Sequence, residues 1–86
     1  MDTLASVVNK KIKPALVEKF GIALSTLIIL QSSKKHNIMV ANIDNDGYKK
    51  LVDAILSDKR VKQIFDGKQI KSMKIGWLKE SENLYK

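Results

Sequence analysis

The sequence predicts a small α+β domain in the order α-β-β-α-β, with a mainly antiparallel sheet covered by amphipathic helices. Three observations carry that expectation. Two apolar, partly β-branched runs, Ala23 to Gln31 and Ile38 to Ile43, flank the polar insert Ser32-Ser33-Lys34-Lys35-His36-Asn37. Helical stripes lie before the first run and after the second. Farther on, Gln69 to Lys79 alternates as a strand would, with Met73, Ile75 and Trp77 on one parity.

In the first element, Leu4, Val7, Val8, Ile12, Leu16, Val17 and Phe20 recur at spacings of three and four, one apolar stripe on a helix. Asp2 or Thr3 can cap its start, and Gly21 stands where a helix would stop. Pro14 interrupts the stripe, and a kink or break is expected near Lys13.

The next two runs read as a hairpin. Each carries apolar side chains on both parities, so the pair needs cover on both faces. Asp44-Asn45-Asp46-Gly47 then ends the second strand and supplies helix caps. Tyr48, Leu51, Val52, Ile55 and Leu56 form a second helical stripe, closed near Ser57-Asp58. Lys59 to Phe65 reads as a short helix with Lys59, Arg60 and Lys62 on its wet side; a strand turning at Asp66-Gly67 is the alternative. The third strand follows as a half-wet edge guarded by lysines. Residues 1–80 are thus expected to form one domain and 81–86 a flexible polar tail.

Composition narrows the function. A chain of 86 residues is one domain, burying roughly 60–65% of its unfolded surface. Cysteine is absent, so disulfides, thiol chemistry and cysteine-based metal sites are excluded, and a cytoplasmic location is expected. The N-terminal residues do not read as a signal peptide, and no segment reads as a membrane span, so no membrane partner is expected. Sixteen Lys and Arg face nine Asp and Glu, a net charge of +7. Such an excess favours polyanions, but fifteen of the sixteen are lysine. Lysine binds phosphate as a point charge, whereas base reading leans on the planar fork of arginine.

Candidate chemistry is sparse. Asn42, Asp44, Asp46, Gly47 and Asp53 fall at positions one, three, five, six and twelve of a calcium loop. The twelfth position lacks its usual glutamate, Lys49 occupies an apolar position, and a strand-to-helix turn uses the same residue types. His36, the one histidine, has no carboxylate or nucleophile beside it in sequence. No phosphate-cradling glycine loop or serine elbow occurs, so neither an enzyme, a cofactor nor a small-molecule substrate is expected.

The basic clusters remain. Lys34, Lys35, Lys59, Arg60, Lys62, Lys71 and Lys74 are the candidate phosphate contacts of a non-enzymatic nucleic-acid-binding module. Tyr48 and Trp77 are candidates to stack on unpaired bases, although core use of Trp77 is favoured. The alternative is an assembly module, a homodimer joined through Met73, Ile75 and Trp77, with its charge serving only solubility.

Overall fold

A computed structural model describes residues 3–84, and it replaces the expected sheet with helices. Of these residues 87% are helical, and no strand occurs among them, so the α+β reading is wrong. The elements are α1 (Leu4–Val7), a π-helical turn (Val8–Ile12), α2 (Lys13–Lys35), a 3-10 turn (Val40–Asn42), α3 (Asn45–Leu56), α4 (Lys59–Ile64) and α5 (Gly67–Leu84).

The first stripe is helical as expected, with Leu4, Val7, Val8, Ile12 and Leu16 all buried. Thr3 caps it by accepting a hydrogen bond from the Ser6 amide at 3.1 Å; the other candidate cap, Asp2, lies outside the described residues. Pro14 does not break the helix. The backbone stays helical at Lys13 (φ −58°, ψ −47°), and the Lys13 amide donates to the Val8 carbonyl. That wider π register lies just ahead of Pro14, where a proline ring would otherwise crowd the preceding turn.

The break comes at Gly21 instead. Its φ of 80° and ψ of 171° lie in a region that only glycine enters readily. Leu4–Lys35 has 32 residues and is, by length and composition, long and apolar enough to cross a membrane. Straight, it would measure about 48 Å, yet the longest dimension of the molecule is 33 Å. At Gly21 the chain doubles back, so that Val8, Asn9 and Lys13 share a groove with Thr26, Ile29 and Leu30.

The proposed hairpin is therefore a helix followed by an irregular connector. Residues 22–35 bury Ser25, Ile28, Ile29, Ser32 and Ser33 on one side. The connector carries half-buried Ile38, Val40 and Ile43 against the core.

The second stripe holds. Asp44 caps α3 by accepting from the Gly47 amide at 2.7 Å, and Tyr48, Leu51, Val52, Ile55 and Leu56 are buried. The helical reading of Lys59–Ile64 also holds, with Asp58 capping α4 and Val61 buried. Phe65 closes it by packing edge-on against Phe20, with ring centroids 6.3 Å apart.

The edge strand is α5. Asp66 and Gln69 exchange side-chain-to-amide hydrogen bonds of 3.0 and 2.8 Å, a capping box that starts the helix. Helical pitch then splits the expected strand face: Trp77 is buried, Met73 is half-buried and Ile75 is 52% exposed. The helix continues through Leu84 with Ser81 buried, so the expected tail is helical at 81–84, and its last two residues lie outside the described ones. Helix α3 packs against both α2 and α5 and forms the centre of the fold.

Among the described residues two buried side-chain atoms lack a partner, the Ser25 hydroxyl and Oδ1 of Asn45. The Ser25 hydroxyl is fully buried and makes no hydrogen bond. Its desolvation is uncompensated, and alanine is the better helix former. Ser25→Ala is expected to raise stability by about 1 kcal/mol, read as a higher midpoint in urea unfolding. A loss of stability would show that the hydroxyl contributes through packing.

Candidate nucleic-acid interface

Asp58 and Arg60 organise a point where two of the basic clusters are tied together. The Asp58 carboxylate accepts from the Arg60 amide at 2.8 Å while capping α4. It also takes the guanidinium fork-on-fork, Nε at 3.0 Å and Nη2 at 2.7 Å. Those hydrogen bonds hold the Asp58 carboxyl below its ordinary range and raise the guanidinium. The same Nη2 donates to Oε1 of Gln31 on α2 at 2.7 Å.

That last bond matters for charge placement. Gln31 lies one turn before Lys34 and Lys35 on α2. The contact therefore sets the first turn of α4 beside the last turn of α2. Lys34, Lys35, Lys59 and Lys62 are all exposed there, and none forms an ion pair with a described carboxylate. Lys34 and Lys35 also complement the negative end of the α2 dipole.

The other candidates divide. Arg60 is engaged by Asp58 and Gln31, so it positions α4 instead of offering a free fork. Lys74 reaches Asp53 on α3 at 3.0 Å, which balances its charge. Lys71 is exposed on α5 one turn from Lys74, and among the described residues no hydrogen bond or ion pair links it to the α2–α4 cluster.

The aromatic candidates are not available to bases. Tyr48 is fully buried, and its hydroxyl donates to the Trp77 carbonyl at 2.7 Å. Burial, with the Glu80 carboxylate adding to it, pushes that phenol above its ordinary pKa and keeps the donor protonated. Trp77 is 7% exposed.

The remaining hollows do not converge on chemistry. One of about 380 Å³ brings His36 to the same surface as Asp44 and Asp46. Asp44 is capping α3, however, and Asp46 pairs with Lys50 at 3.1 Å. Asp53, the twelfth residue of the calcium-like loop, faces Lys74. No group of three or more potential metal ligands occurs among the described residues.

The Gln31–Arg60 contact joins residues far apart in sequence, and nothing in the local pattern announces it. The Asp58-x-Arg60 cap was legible only in part. Comparison with protein-family models, curated proteins and solved structures found no match to this chain.

Proposed function

We propose that this chain is a non-enzymatic module that binds nucleic acid through lysine–phosphate contacts, with Lys34, Lys35, Lys59 and Lys62 as its contact surface. The observation that carries this reading is the Gln31–Arg60 hydrogen bond, which links the segment of Lys59 and Lys62 to that of Lys34 and Lys35. Lysines used this way supply affinity without reading bases, because each acts as a point charge that releases condensed counterions. The net charge of +7 adds long-range attraction. The lack of cysteine fits a reducing compartment, and the proposal includes a cytoplasmic location.

The assembly alternative is weaker in its original form. Of Met73, Ile75 and Trp77, only Ile75 is well exposed, so the three do not make one surface.

Fluorescence anisotropy of labelled duplex DNA and single-stranded RNA, titrated across a salt series, tests the reading. Replacing Lys34, Lys35, Lys59 and Lys62 together with glutamine should flatten the slope of log K against log salt. The expected change is about 3.6 for duplex and about 2.8 for single strands, at ~0.9 and ~0.7 per phosphate contact. An unchanged slope would remove this surface from the reaction and the proposal with it.

A further inference from the structure

The outward face of residues 22–35 carries an observation that phosphate binding does not use. Ala23, Leu27 and Leu30 follow one another at helical spacing on the side opposite the buried serines. Leu27 is 40% exposed and Leu30 47%, while Ile22 at the head of the segment is 68% exposed. Single exposed apolar residues are ordinary, but a stripe of them marks a contact surface. Only 28% of the most apolar 18-residue window of Leu4–Lys35 is buried within the chain.

We propose that this face lies on an anionic lipid surface, with Leu27 and Leu30 entering the acyl boundary and Lys34 and Lys35 meeting the headgroup phosphates. Charge chooses the occupant. From Lys19 to Ile43 the sequence holds no aspartate or glutamate. Lys34 continues the stripe one turn beyond Leu30, and Lys13 lines the groove whose far wall is Ile29 and Leu30. The complement of such a face is apolar and bordered by negative charge. A second copy of a +7 chain would bring the same cations against it. An anionic bilayer surface offers both halves, hydrocarbon for the leucines and phosphate for the lysines.

Geometry gives the mode of contact. Fourteen residues of helix after Gly21 measure about 21 Å, shorter than the roughly 30 Å of a bilayer core. The segment therefore lies in the interface plane. It remains packed on the protein through Ile28, Ile29 and the serines, so docking needs no unfolding. A helix that lies on the surface needs one apolar face and not the full length of a span.

Vesicle flotation with the full chain tests the proposal, comparing phosphatidylcholine vesicles with equimolar phosphatidylglycerol and phosphatidylcholine. The chain should float with the anionic vesicles at low millimolar lipid and not with the neutral ones. Leu27→Gln/Leu30→Gln should lose roughly tenfold in partitioning, given the apolar area withdrawn from water, with its melting curve unchanged. Leu27→Trp supplies a second reading, an emission blue shift on adding anionic vesicles. Failure to float, equal floating of the glutamine variant, or an unshifted tryptophan would overturn the proposal. So would a dimer in sedimentation that the glutamine variant dissolves, which would assign the face to a second copy. None of these outcomes depends on the oligonucleotide titration, so the two readings fail separately.

Discussion

Trp77→Ala should cost about 3–5 kcal/mol, while Ile75→Ala, two residues away, should change stability by no more than about 0.5 kcal/mol. The contrast follows from helical pitch. Trp77 is 7% exposed and Ile75 52%, because two residues along a helix turn the side chain through more than half a circle. On a strand the two would share a face and cost alike. Trp77 also offers its carbonyl to the buried Tyr48 hydroxyl, so the ring lies where α3 and α5 meet. A domain of this size has a total stability of roughly 4–13 kcal/mol. The alanine variant is thus expected to lose a large share of that stability, and Trp77→Leu to lose less. Urea unfolding followed by far-UV circular dichroism measures all three. Equal costs at 75 and 77 would restore the strand face and sink the helical assignment of α5.

That contrast also shows where the sequence could be read and where it could not. Stripes at three- and four-residue spacing identified the helices at 4–20 and 45–56, because each places one apolar face against the core. Residues 22–30 defeated the same logic. With Ile28 and Ile29 facing inward and Leu27 and Leu30 outward, they show apolar side chains in every direction, which suits a sheet covered twice as well as a helix with an exposed stripe. Length held the missing information. The helix runs on through Ser32, Ser33, Lys34 and Lys35, residues that look like a loop, and a run from Ile22 to Lys35 is too long for an ordinary strand.

In α5 the signal was present but outweighed. Asp66-x-x-Gln69 is a capping-box pattern, and Ile70, Met73, Trp77 and Leu84 fall at helical intervals. Local alternation around Met73 to Trp77 masked them. The basic surface was half legible: composition and clustering named its lysines, but the Gln31–Arg60 contact that unites two clusters spans α2 and α4 and has no local signature.

Gly21→Ala is expected to destabilise the fold by about 1–3 kcal/mol, a fall in Tm of roughly 4–24 °C for a domain of this size. The cost is entirely in the backbone. No atom lies within 4 Å of where a Cβ would sit, so nothing clashes, but a φ of 80° with a ψ of 171° is strained for any L side chain. Gly76→Ala provides the opposite case. It too has open space around its Cβ position, but it lies inside α5, where alanine should stabilise by about 0.5–1 kcal/mol. Two identical substitutions with opposite signs separate backbone conformation from packing, and differential scanning calorimetry resolves both. The same glycine decides what the apolar run becomes. Bent there, residues 4–35 form two arms, the second burying its serines and presenting Leu27 and Leu30 outward. Straight, they would make a 32-residue rod long enough to span a bilayer. If Gly21→Ala raised Tm instead, the bend would be absent from the folded chain, and with it both the α2–α4 basic surface and the lipid-facing stripe.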